Sequence, residues 1–178
     1  ASAIQRCGYE VHLVDVNEDS WCLEPDALHH HPMLSKVGLV VPVAAYGRGV
    51  PIKRWEAFGE TTGIKVVIDG AASLEALIDK PQDCTGELPV VLSLHATKVL
   101  SSGEGGAVVC TNEQTLKRSM QAINFGFLYS RNSQIPSING KLSEYHAAVG
   151  LASLDEWQVT SAGLQQIARR YQAAFADT

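Results

Sequence analysis

The sequence predicts an α/β fold, a three-layer sandwich built on a mainly parallel sheet. Three observations predict it. Short, continuous apolar runs recur along the chain, the pattern of strands buried on both faces. Segments of helical spacing separate these runs almost throughout, which is the alternation a parallel sheet requires. The composition, 46% apolar and 19% charged over 178 residues, suits one ordinary domain with a well-supplied core.

Taken in order, Ala3, Ile4 and Cys7 read as the tail of a helix closed by Gly8. Val11-His12-Leu13-Val14-Asp15-Val16 reads as the first strand. A helix is expected from Glu24-Pro25, with proline in its first turn. Gly38-Leu39-Val40-Val41-Pro42-Val43 is a second strand. From Pro51 to about Gly59, Ile52, Trp55 and Phe58 recur at three-residue spacing, predicting a helix with Gly59 as its stop. Ile64 to Ile68 is a third strand, Val90-Val91-Leu92-Ser93-Leu94 a fourth and Ala107-Val108-Val109-Cys110 a fifth. Asn112 is placed to cap a helix from Glu113 to about Ile123. Residues 124–140 carry scattered Gly, Ser, Asn and Pro and read as a long loop. Helices are expected from Lys141 to about Trp157, with Ala147, Ala148, Leu151 and Leu154 on one face, and from about Ser161 to Phe175. These last helices are expected to project toward a partner or a further domain.

Charge and composition exclude several functions. A net charge of −5 argues against a protein that tracks nucleic-acid phosphates. No apolar run reaches the roughly 18 residues of a membrane span. The first residues lack the layout of a signal peptide, so a cytoplasmic location is expected. The four cysteines form no C-x-x-C pair and are expected to be reduced thiols. His29-His30-His31 reads as a solvated helix end, because consecutive helical residues point around the axis instead of converging on one ion. No metal site is expected.

Ligands of open parallel sheets gather at the carboxyl ends of the strands, and two reactive residues fall there. Asp69 follows Val66-Val67-Ile68 and precedes the small residues Gly70-Ala71-Ala72. Lys98 lies shortly beyond Leu94, ahead of Ser101-Ser102-Gly103-Glu104-Gly105-Gly106. An amine and a carboxylate on neighbouring strand ends suit a cofactor aldehyde held by the lysine and a ring nitrogen kept protonated by the aspartate. Each residue alone has a plainer reading: Asp69 as a turn former, Lys98 as a solvated charge, the glycines as a turn into a strand. The G-x-x-x-x-G-K-[ST] phosphate loop is absent.

Together, Val67-Ile68-Asp69-Gly70-Ala71-Ala72, Leu92-Ser93-Leu94-His95-Ala96-Thr97-Lys98 and Gly103-Glu104-Gly105-Gly106-Ala107-Val108-Val109 resemble the sugar aminotransferases of the DegT type. The likeness continues through Asn124-Phe125-Gly126, Ile138-Asn139-Gly140-Lys141-Leu142-Ser143-Glu144 and Ala147-Ala148-Val149-Gly150-Leu151. These are pyridoxal-phosphate enzymes of the aspartate-aminotransferase fold (fold type I). The resemblance implies that Lys98 forms the Schiff base with pyridoxal 5'-phosphate and that Asp69 pairs with its pyridine nitrogen. Ser93 matches a serine that binds the cofactor phosphate, and Asn139 an asparagine that reaches the phosphate in the neighbouring subunit. Ala72 stands where many members carry Gln or His near the ring hydroxyl, so that contact is expected to be missing. Lys141 replaces a frequent Arg, and His95 is at most pocket-lining.

Family members are about twice as long as this chain. The resemblance therefore implies that residues 1–178 are a single partial large domain, without the family's N-terminal segment and C-terminal small domain. Cofactor binding by the isolated chain is expected to be weak or absent, because the missing front normally supplies the phosphate's helix N-terminus. The activity implied is amino transfer to a nucleotide-linked keto-sugar from a donor such as glutamate, within polysaccharide biosynthesis. A homo-oligomer, a dimer or larger, is expected, with no nucleic-acid or membrane partner. The alternative is a non-catalytic α/β remnant acting through oligomerisation or partner binding. A nucleotide-binding domain is disfavoured, because no Gly-rich fingerprint follows the first strand.

Overall fold

Every second residue of the central strands is apolar and buried, and that alternation sets the architecture. The computed structural model describes residues 1–176. Five short strands form: β1 (Leu39–Val40), β2 (Lys65–Val66), β3 (Ile68–Asp69), β4 (Val90–Ser93) and β5 (Gly106–Val109). Val40, Val66, Ile68, Val90 and Leu92 are all buried in one cluster. The pairs β1–β2 and β3–β4 are parallel, and β4–β5 is antiparallel. The two small sheets are tied together: the Val67 amide donates to the Val40 carbonyl at 3.1 Å and the Asp69 amide to that of Pro42 at 2.9 Å. The architecture is α/β with a mainly parallel sheet, as the sequence predicts. The run from residue 94 to 105 contains no helix, so β5 returns antiparallel; a parallel return needs a crossover, usually helical.

Helix α1 (Ser2–Arg6) precedes Gly8, and α2 (Pro25–His29) starts with proline in its first turn, both as expected. Helix α3 (Ile52–Thr62) covers one face of the sheet with its Ile52, Trp55 and Phe58 stripe, each only 1% exposed. It runs past Gly59, the expected stop, and ends at Gly63, whose left-handed φ of 72° is open to glycine at no steric cost. Thr62 Oγ1 donates to the Phe58 carbonyl at 2.7 Å and holds this last turn. Glu56 ties α3 to the entry of β4 by accepting from the Glu87 amide at 2.6 Å and Lys53 Nζ at 2.8 Å. Burial alone pushes the Glu56 carboxyl up, but these donors outweigh it and hold the group below its ordinary range.

The expected first strand, Val11 to Val16, is not one. It has apolar alternation but no ladder partner among the described residues, and strand propensity without a neighbouring strand does not close hydrogen bonds. Val14 packs against the core while Leu13 is exposed. The second strand is shorter than expected because Pro42 lacks an amide proton for the ladder.

Helices α4 (Leu74–Asp79) and α5 (Pro81–Cys84) follow β3, and α6 (Glu113–Ile123) follows β5, its Thr115 amide capped by Asn112 Oδ1 at 2.9 Å. Helix α7 (Glu144–Asp155) begins three residues later than expected, because the Ser143 hydroxyl caps it by accepting from the His146 amide at 3.2 Å. Helix α8 (Trp157–Ala174) starts four residues earlier than expected and buries no residue.

Candidate functional site

The strand alternation that buries Ile68 and Val66 turns Asp69 to the opposite face. Register places Val43, Asp69, Val91 and Val108 in one row across the sheet. The three valines of that row are 50%, 39% and 37% exposed, so Asp69 stands among open apolar neighbours. Its Oδ1 accepts from the Ala71 amide at 3.0 Å, which makes it the turn former that the plainer reading describes. Oδ2 has no hydrogen-bond partner among the described residues.

A cavity of about 1040 Å³ opens on this side, and Asp69, Ala71, Ala72 and Lys98 all lie in its wall. Lys98 is half-buried, and its Nζ makes no ion pair or hydrogen bond among the described residues. The small side chains of Ala71 and Ala72 leave room beside the carboxylate. An unpaired amine, a carboxylate with a free oxygen and a wall of small residues fit the aldehyde and ring nitrogen of pyridoxal phosphate.

Ser93 and Asn139 are not part of that wall. Ser93 shares the sheet face of Val91 and Asp69, two residues further along β4, and its hydroxyl accepts from the His95 amide at 3.2 Å. Asn139 is exposed in the loop before α7, where it bridges to Asn124. Lys141 lies outside the wall as well, with Nζ 4.1 Å from the centre of the Phe125 ring. His95 also stands outside it, in the turn that carries Lys98. Its Nδ1 lies 2.9 Å from Thr97 Oγ1, and its Nε2 lies 3.6 Å from Glu104 Oε1.

Two wall residues escape the sequence reading. Trp21 and Tyr46 have φ of 56° and 54°, conformations that cost energy for aromatic residues, and their rings meet edge-on at 5.6 Å. The one signal for either is Gly47 after Tyr46, which marks a turn but not an aromatic contact.

A second cavity, of about 610 Å³, lies beside α3, α4 and α5 and holds Cys84. Burial raises the pKa of that thiol, which makes it a poorer thiolate. The four cysteines are unpaired. Among the described residues, no group of three His, Cys, Asp or Glu could hold a metal, and no helix is long and apolar enough to cross a membrane. His29 packs its ring 5.1 Å from that of Phe58, and His31 Nδ1 accepts from the Met33 amide.

Comparison with known proteins brings in sequences and folds of the same kind. The pattern of the DegT/DnrJ/EryC1/StrS aminotransferase family matches residues 1–178. A dTDP-4-amino-4,6-dideoxy-D-glucose transaminase of Shigella dysenteriae is 35% identical over 117 residues, 65% of this chain and 32% of that one. A dTDP-3-amino-3,4,6-trideoxy-alpha-D-glucose transaminase of Micromonospora megalomicea is 28% identical over 178 residues, 98% of this chain and 47% of that one. A Bacillus cereus protein assigned as a PLP-dependent aminotransferase superposes with a TM-score of 0.84 at 29% identity, over 97% of this chain and 47% of its own. DesI, solved with its TDP-sugar product, superposes with a TM-score of 0.70 at 31% identity, over 88% of this chain and 40% of its own. The chain spans less than half the length of each of these relatives.

Proposed function

The chain belongs to the DegT/DnrJ/EryC1/StrS aminotransferase family, and on that premise we propose that it is the lysine-bearing part of a pyridoxal-phosphate-dependent enzyme that moves an amino group onto a nucleotide-linked keto-sugar. The observation that carries this reading is the unpaired Lys98 amine and the Asp69 carboxylate in the wall of one cavity. The Shigella and Micromonospora relatives, both transaminases of dTDP-linked sugars, support the substrate class. On the same reading the donor is an amino acid such as glutamate, the setting is the cytoplasm and the product feeds polysaccharide biosynthesis.

When bound, pyridoxal phosphate supplies an aldehyde and a ring that draws electrons from the carbon changing its amino group. Lys98 would hold that aldehyde, and its amine, once free, would carry the proton to and from the reacting carbon. Asp69 would hold a proton at the ring nitrogen. Ser93 and Asn139 are assigned to the phosphate, Asn139 across a subunit boundary.

That last assignment requires a second copy of the chain. The exposed apolar residues of α7 and α8, Leu151, Val159 and Tyr171 among them, support association. A single monomeric species in light scattering at every concentration would contradict it.

Asp69→Asn tests the chemistry. The variant should still capture pyridoxal phosphate through Lys98, yet turn over glutamate in the first half-reaction roughly a hundredfold or more slowly, because a neutral ring draws electrons poorly. Stopped-flow absorbance of the bound cofactor after mixing with glutamate reads this directly. A variant as fast as the parent would remove Asp69 from the mechanism.

A further inference from the structure

We propose that His95 is a positioning residue for Lys98, holding the turn that presents the amine. The proposal rests on the reading of Lys98 as the cofactor-binding amine, and it is drawn from the connection between β4 and β5.

The base of that connection is rigid. The Leu94 amide donates to the Gly105 carbonyl at 2.9 Å, the Ala96 amide to that of Gly103 at 2.8 Å and the Ser102 amide to that of Leu94 at 2.9 Å. Ser102 is fully buried, and its hydroxyl donates to the Glu104 carbonyl at 2.8 Å. Gly103 has a φ of 86°, a left-handed conformation that glycine takes readily as the chain doubles back. Leu100 is buried and anchors the far side. Residues 97–99 form the remaining tip, and Lys98 sits in its middle.

His95 supplies the acceptors that close this tip. Its main-chain carbonyl accepts from the Lys98 amide at 2.9 Å. Its ring Nδ1 accepts from the Thr97 amide at 3.2 Å and lies 2.9 Å from Thr97 Oγ1. One residue thus receives the two consecutive amides that lead into the Lys98 side chain.

The tautomer follows from these contacts. A backbone amide can only donate, so Nδ1 must present its lone pair and the neutral ring must carry its proton on Nε2. That nitrogen faces Glu104 Oε1 at 3.6 Å, too long for a tight hydrogen bond but well placed for attraction between the Nε2 proton and a carboxylate. Removing the ring would leave the Thr97 amide without its acceptor and loosen the tip. The polar groups around His95 are Glu104 on the returning segment, Lys98 on the tip and His146 of α7. The His146 ring lies against Gly103, with its Nδ1 2.8 Å from the Ser143 hydroxyl.

The test uses the full chain and two substitutions. Asparagine at position 95 places Oδ1 close to where Nδ1 stands, an acceptor for the amide two residues on. Alanine supplies none. Amide-exchange protection of Thr97 and Lys98 is measured by NMR without cofactor. The rate of pyridoxal phosphate attachment at Lys98 is measured by borohydride trapping and peptide mass spectrometry. In His95→Ala, protection at Thr97 and Lys98 should fall roughly five- to tenfold below the parent, the loss of about one hydrogen bond. His95→Asn should keep the parent's protection. Attachment at Lys98 should follow the same order, while attachment at exposed Lys80 stays unchanged.

If His95→Asn behaves as His95→Ala, or if neither protection nor attachment moves in His95→Ala, His95 does not position Lys98. Protection and attachment in the asparagine variant, set against the parent, decide the matter even if the alanine variant fails to fold. If the parent attaches cofactor no faster at Lys98 than at Lys80, the assignment of Lys98 has failed, and the amide data still judge His95 separately.

Discussion

Lys98→Ala is expected to abolish stable capture of pyridoxal phosphate and to lower amino transfer from glutamate by on the order of a thousandfold or more, since both the covalent anchor and the proton carrier are lost. The expectation follows from what Lys98 touches: its amine has no protein partner among the described residues, lies half-buried and opens on the cavity that Asp69 shares. Removing it breaks no hydrogen bond of the side chain, so stability should stay within about 0.5 kcal/mol of the parent. Lys98→Arg should fail as completely, because a guanidinium stays protonated and does not attack an aldehyde. Loss of capture together with an unchanged denaturation midpoint, in both variants, separates chemistry from folding. Retained capture in either would overturn the assignment.

Trp55→Ala should cost about 3–5 kcal/mol of folding stability, the range for deleting a large buried aromatic side chain. Trp55 is 1% exposed, meets the Phe58 ring edge-on at 5.5 Å and belongs to the same buried cluster as Val66 and Ile68. Ile68 is the residue next to Asp69, so loosening this cluster loosens the floor beneath the carboxylate. Urea denaturation of parent and variant gives the loss directly. By contrast, Tyr171→Ala on exposed α8 should change monomer stability by less than about 0.5 kcal/mol. A Trp55→Ala loss below 1 kcal/mol would contradict the placement of α3 over the sheet.

The parts legible in the sequence were those with a local cause. The Ile52, Trp55 and Phe58 stripe, the Asn112 cap and the proline opening α2 each act within one or two turns, and each stands where expected. The misreadings arise where the cause lies elsewhere in the chain. Val11 to Val16 has strand character, but pairing depends on a neighbour that its own residues do not specify. Gly59 looks like a stop, yet the helix continues to Gly63 because Phe58 and the threonines after it still find helical partners. The order of β4 and β5 was legible, but not their antiparallel pairing, which depends on the path of the loop between them.

For the site, register and spacing bring Asp69 and Lys98 to one cavity from segments that share no local pattern. The contacts of His95 with Thr97 and Glu104 were not legible. They depend on the turn conformation that brings residue 104 back across residue 95. Trp21 and Tyr46 meet for the same kind of reason, across a separation that no periodicity spans.

The most direct test of the central claim is peptide mapping of the whole chain after incubation with pyridoxal phosphate and reduction with borohydride. The amine that the cavity isolates should carry the label: the peptide containing Lys98 should gain the pyridoxyl mass first, at cofactor concentrations that leave the exposed Lys53, Lys65 and Lys80 unmodified. Label spread over those exposed lysines in proportion to their accessibility, with Lys98 unmodified, would contradict it.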